Sequence, residues 1–297
     1  MPKGKSVPIQ NTSLFRAVGE DTIFSNEQKK QIQSTKTQKE LFQYVSKACN
    51  EILNNGRNND MLNEFESLLN NTGCGNITKE RLFIQRKSPD IKNHCYYSFP
   101  EIEYEDPDAI SYHLYMKMAM ILNSRKKDYP RIKECTVGVT NDYFFCLKIK
   151  NNLNVEIELS GDWVTEWDLI NTCKSEMKYE SAFKAHSIAG HVFWPCKKKS
   201  TRTINIIRKN YSIRQTLTIL DRCYHDKFEV EESLGEKSDK ELINAFIDNK
   251  DWFELFNNFK QYKDFFSLGV FLEEKITSVN INKIIQSRFE ELLSLDT

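Results

Sequence analysis

Apolar residues recur at helical spacing near the start of the chain, alternate with polar ones around its middle, and return to helical spacing towards its end. The first such stretch is Leu41, Tyr44, Val45, Ala48, Cys49, Ile52 and Leu53. Its spacing predicts an amphipathic helix, opened by Thr37 and Glu40 at capping-box separation and closed by Asn54-Asn55-Gly56. Residues 1 to about 25 mix Pro, Gly, Ser and Asn without a period and read as an arm. A shorter helix is expected over 60–69, followed by an irregular aromatic region with short strands at 81–85 and 95–99. Asp106-Pro107 suits the cap and first turn of a helix with Ile110, Leu114, Met118 and Ile121 on one face.

The clearest strand pattern comes next. "CTVGVT" and "YFFCLKI" are separated by Asn141-Asp142, and a turn at Lys150 to Leu153 leads into "NVEIEL", which predicts an antiparallel meander over 135–159. Residues 163–185 read as helical, and Ile188 to Trp194 as a strand stopped by Pro195. Ile213, Leu217, Leu220 and Cys223 mark another helix. "SDKELINAFI", "DWFELFNNFKQYKDFFSLGVFLEE" and "NINKIIQSRFEELLSLD" each keep a helical period, the middle one through an aromatic stripe that reads as core. The fold class expected is α+β: a small antiparallel sheet packed by helices, with a mostly helical N-terminal extension. The chain divides into an arm (1–25), a helical region (26–105), a core (106–276) and a C-terminal helix (277–297).

Composition narrows the class of protein. The 297 residues suffice for a sizeable core, and 42 basic residues balance 42 acidic ones, so an electrostatic partner must be met by a local patch. No apolar run has the length of a signal peptide or a membrane span, so a cytoplasmic location without membrane contact is expected. Eight cysteines without paired spacing suit reduced thiols. Neither a metal nor another cofactor is called for: His186 and His191 are five apart, which fits no zinc pair.

Charge is unevenly placed. No Asp or Glu stands between Ser181 and Leu220, where there are eight Lys and Arg; from Asp226 to Glu254 ten acids face four lysines. Either the two blocks attract each other within one fold, or the basic one is a face for an anion. Lys197 to Lys199 read as a solvated loop or as phosphate contacts. Arg202, Arg208 and Arg214 offer guanidinium forks for phosphate, with His191, Trp194 and Tyr211 nearby in sequence as stacking partners for a base. Cys196, before three lysines, is either an activated or an inert thiol. Arg222 and His225 are too close in sequence for the R-x4-6-H pattern of a class of RNA-cleaving helical domains.

"HSIAGHVFWPCKKKSTRTINIIRKN" resembles the core of an uncharacterised bacterial domain family that reads I-G-G, an apolar run ending in Phe-Pro, then T-I-N-x-x-R-G. Ile188, Gly190, Pro195, Thr203, Ile204, Asn205 and Arg208 match it, as do "LSGD" at 159–162 and the aromatic block from Asp251 to Leu268. The resemblance covers roughly 105–276, and departs from the family where Ala189 and Lys209 replace glycines. It implies no reaction by itself. By family analogy the expected role is an intracellular effector of phage-defence or toxin type acting on RNA or a nucleotide. Asp162, His191 and Arg208 are the catalytic candidates, and Lys198, Arg202, Thr203, Asn205 and Arg214 the ligand-binding ones. Asp162 reads alternatively as a turn cap, and Thr203, Asn205 and Arg208 as a structural hydrogen-bond cluster. The rival class is a non-catalytic inhibitor or adaptor that meets a protein partner through its basic and acidic faces.

Overall fold

Four antiparallel strands form the centre of the fold in the order β3 (Ile132–Val139), β4 (Phe145–Asn151), β5 (Glu156–Trp163) and β6 (His191–Pro195). The structure, a computed structural model, describes residues 13–21, 23–55, 84–85, 95–96, 112–141, 144–164, 188–196, 203–229, 239–277 and 280–294. The helix expected over 60–69 and the Asp106-Pro107 cap lie outside them, as do residues 165–185 of the helix expected over 163–185, whose first residue, Trp163, instead ends β5. A separate two-stranded ladder joins β1 (Ile84–Gln85) to β2 (Cys95–Tyr96). The α+β class read from the sequence is the class observed.

Helices α1 (Ser13–Glu20), α2 (Asn26–Gln33), α3 (Gln38–Asn54) and α4 (Tyr112–Arg125) precede the sheet. Thr37 and Glu40 form the capping box of α3, as their spacing predicts. One sheet face packs on α3 and α4: Phe145 lies 4.6 Å from Phe42 and 6.0 Å from Tyr112, and Phe193 meets Tyr115 edge-on at 5.8 Å. Helix α4 was expected to have one apolar face, yet every residue from Tyr112 to Leu122 is buried, His113 and Lys117 included. The α1–α2 corner accounts for part of this, because Asp21 is also buried there, and accepts hydrogen bonds from the Tyr112 hydroxyl (2.6 Å) and from His113 Nε2.

The edge strand β3 is closed by side chains. Asn50 of α3 donates to the carbonyl of Val137 (2.8 Å) and accepts from its N–H (2.9 Å), and Asn123 of α4 does the same for Cys135 (2.7 and 3.0 Å). Each amide imitates a neighbouring strand, so a free edge is not left for another chain to pair with.

The second sheet face packs on the C-terminal half: α5 (Ile204–Ile207), α6 (Ile213–His225), α7 (Lys240–Asp248), α8 (Lys250–Phe253), α9 (Phe259–Phe265), α10 (Val270–Glu273) and α11 (Ile281–Leu293). Trp194 of β6 reaches Phe246 of α7 at 6.1 Å. The aromatic stripe is core, as expected, but not one long helix. It folds into three short ones because Asn258 caps α9 and Ser267, at φ 50°, ends it in a left-handed turn in which Leu268 N–H bonds Lys263 O at 2.9 Å. Two arginines hold that turn. Arg125 donates to Ser267 Oγ (2.9 Å), and the buried Arg288 donates to the carbonyls of Ser267, Phe266, Ala189 and His191. Arg288 thereby also caps the His191 carbonyl at the start of the edge strand β6. Arg288, fully buried, has its pKa lowered by that burial to about 9.

Candidate functional site

Two of the motif blocks are the halves of one contact. "LSGD" is not a turn: β5 runs through Ser160, Gly161 and Asp162, which pair with Trp194, Phe193 and Val192 of β6. Side chains two apart on a strand share a face, so Ser160 and Asp162 both point towards the C-terminal helices. Thr203 is the extended N-cap of α5, its carbonyl accepting from Ile206 (3.0 Å) and Ile207 (3.1 Å) while its side chain makes no capping bond. One helical turn separates Asn205 from Arg208, which matches the two-residue step along β5. Asn205 Nδ2 donates to Ser160 Oγ at 2.7 Å, and Arg208 Nε pairs with Asp162 Oδ2.

This ion pair is buried: Arg208 is 0% and Asp162 6% exposed. Removing one partner of such a pair strands the other charge, at a cost of about 3–5 kcal/mol. Gly161 lies between them, facing α4: its N–H bonds the Tyr115 hydroxyl at 3.1 Å, and a Cβ there would be in ordinary contact, at 3.4 Å, with that oxygen and Leu114 Cδ2.

The remaining candidates do not converge on the pair. His191 is opposite Trp163 in the ladder and so projects from the other sheet face than Asp162; it is fully buried beside Gly161. The catalytic candidates Asp162 and His191 are thus on opposite faces of the sheet. Cys196 follows β6, and burial pushes its thiol up to about 11, against the opposing hydrogen bonds with Ser160, the opposite of an activated thiolate. Lys198 and Arg202 lie outside the described residues.

Arg214 belongs to a different place. A cleft of about 770 Å³ runs beside α6, walled by Arg214, Thr218 and Arg222 on the helix, by Tyr211 before it, and by Asp239 and Glu241 at the start of α7. Ser212 and Gln215 form the capping box of α6; Ile213, Thr216, Leu217, Leu220 and Cys223 are buried, leaving Arg214, Thr218 and Arg222 exposed at four-residue intervals along one stripe. The basic and acidic blocks of the sequence therefore meet across this cleft. Tyr211 has its pKa raised by burial and then by the charges of Asp239 and Glu241, so its phenol is a neutral donor at neutral pH. Sequence reading missed Arg222, Asp239 and Glu241 as cleft residues; the signal for the first was its spacing of eight from Arg214, and the acids had none, since only tertiary packing brings α7 to α6. His225, at the end of α6, is not in the lining.

Among the described residues no cluster of three or more His, Cys, Asp or Glu is arranged to hold a metal, and no helix is long and apolar enough to cross a membrane. Five cysteines in the described residues are free thiols. Fold and site together define an α+β domain with a buried Asp–Arg lock on its sheet and a charged cleft at its helical side. The model of a family of unknown function, DUF6994, matches residues 90–292, more than half of the chain, and the protein belongs to that family. Neither a curated protein nor a solved structure matches the chain.

Proposed function

We propose that this protein binds the phosphate of a nucleotide or of RNA in the α6 cleft, and acts there as a cytoplasmic effector of phage-defence or toxin type. The observation that carries the binding half of the proposal is the exposed stripe of Arg214 and Arg222 on the wall of an open cleft. Guanidinium forks pair with phosphate oxygens through charge-assisted hydrogen bonds. Arg214 sits in the first turn of α6, where the helix dipole disfavours a cation and which holds no acid of its own. The anion-binding role assigned from sequence to Arg208 thus passes to Arg214 and Arg222, and Arg208 with Asp162 becomes the pair that fixes α5, and the chain entering α6, against the sheet.

The effector half extends the family analogy drawn from the sequence. The rival reading, an adaptor with separate basic and acidic faces, gains less from a geometry in which Arg214 and Arg222 share one cleft with Asp239 and Glu241. Growth of a bacterial host is the test, after induction of the wild type or of the Arg214→Ala/Arg222→Ala double variant at equal soluble yield. The wild type is expected to arrest growth and the double variant to restore it. Unimpeded growth with the wild type removes the effector role, and equal arrest by both removes the cleft from it.

A further inference from the structure

The cleft is bipolar, and that property bears on which phosphate compound it admits. Its α6 wall carries two cations, and Arg214 and Arg222 are separated by about 12 Å along the helix axis at 1.5 Å per residue. Its α7 wall carries Asp239 and Glu241. A nucleic-acid strand is an anion along its whole length, and the grooves that take it track the backbone with positive charge. Here such a strand would bring successive phosphates against two carboxylates. A single nucleotide has its charge at one end only. Its other end, the base, is neutral and presents N–H donors, for which a carboxylate is an acceptor-only partner. The volume agrees: about 770 Å³ lies within the range of roughly 300–1,000 Å³ in which small molecules are enclosed. Tyr211 adds an aromatic side chain to the same lining, a surface against which a base stacks.

From this juxtaposition we infer that the cleft takes a free nucleotide, with its phosphates on Arg214 and Arg222 and an amino-bearing base turned to Asp239 and Glu241, and that it disfavours single-stranded RNA. The inference rests on the phosphate-binding reading above and narrows it to one ligand class. Adenine, cytosine and guanine each carry an exocyclic amino group; uracil carries none, and its two carbonyl oxygens face carboxylates unfavourably.

Equilibrium titration of the full chain with ATP, GTP, CTP, UTP, inorganic pyrophosphate and a twelve-nucleotide single-stranded RNA tests both levels separately. At least one of ATP, GTP and CTP is expected to bind tenfold or more tightly than UTP and than the RNA. Arg222→Ala is expected to weaken that nucleotide and pyrophosphate at least tenfold. The Asp239→Asn/Glu241→Gln variant is expected to keep pyrophosphate binding while losing the preference over UTP. RNA binding tighter than any nucleotide, strengthened by the Asp239→Asn/Glu241→Gln change, overturns the inference and leaves the phosphate site standing. Equal binding of all four nucleotides overturns the placement of the base. If no probe binds, or if Arg222→Ala changes nothing, the phosphate-binding reading falls as well. Thermal melts of each variant beside the wild type separate loss of binding from loss of fold, since all three substituted side chains are on the cleft wall and not in the core.

Discussion

Arg208 and Arg222 are the same kind of residue fourteen positions apart, and burial gives them opposite tasks. Arg208 is fully buried against Asp162, while Arg222 stands exposed on the cleft wall. Nothing local in the sequence separates them, because the partner of Arg208 is 46 residues away on β5. The resemblance identified Asp162, Asn205 and Arg208 as belonging together, and the structure brings them together, but as a contact between β5 and α5. A second residue-scale feature was not legible either. Lys227 follows the C-cap of α6 at φ 52°, with its N–H directed to Tyr224 O at 3.3 Å, and the next N–H, of Phe228, bonds Cys223 O at 2.7 Å. This is a helix-ending turn in which glycine is the favoured residue, and Lys227 is exposed. Lys227→Gly is therefore expected to stabilise the fold by up to about 1 kcal/mol, read as a raised midpoint in urea denaturation. A lowered midpoint would show that the lysine side chain contributes more than its backbone strain costs.

At the scale of elements, periodicity was a reliable guide where an element meets solvent on one side. The meander expected over 135–159 is the core of the sheet, and the capped helix from Thr37 is α3. It was a poor guide where burial is complete. Helix α4 has no polar face to define its phase, and β5 continues through a Ser-Gly-Asp sequence whose residue types are those of a turn. The attachment of α1 and α2 to α4 was invisible because Asp21 and His113 are 92 residues apart. Burial alone would raise the Asp21 carboxyl, but the hydrogen bond and charge of His113, with the Tyr112 hydroxyl and the Ile23 N–H, outweigh it and hold the pKa at about 2. Burial lowers the pKa of His113 against the opposing pull of Asp21, so His113 is neutral at pH 7 and its charge acts on Asp21 only in acid. Both folded values are depressed, so both contributions are complete above the unfolded values and decline with acid. His113 begins to cost stability below about 6.5, and Asp21 removes about 2 kcal/mol as pH falls from about 4 through its folded value. Urea denaturation between pH 7 and 2 is expected to show that lower step in the wild type and not in Asp21→Asn. The same step in both would assign the acid sensitivity elsewhere.

Across the described residues, one hydrophobic core runs from Leu14 of α1 to Leu292 of α11, and side chains bond backbone groups at both sheet edges. Polar chemistry that a sequence reader would assign to a site is largely spent on such contacts: Asn50 and Asn123 on β3, Arg288 on β6, and the Asp162–Arg208 lock between layers. Among the described residues, an opening lies at the α6–α7 cleft, formed where the basic and acidic blocks of the chain come together. The decisive measurement is pyrophosphate titration paired with urea denaturation of Arg208→Ala and Arg222→Ala. If the cleft receives the anion and the lock holds the fold, Arg222→Ala loses at least tenfold in affinity while its stability stays within about 0.5 kcal/mol of the wild type. Arg208→Ala loses about 3–5 kcal/mol of stability and, where still folded, keeps its affinity. The reverse pattern, a stable Arg208→Ala that no longer binds beside an Arg222→Ala that binds normally, would place the anion at the sheet and contradict the assignment of the cleft.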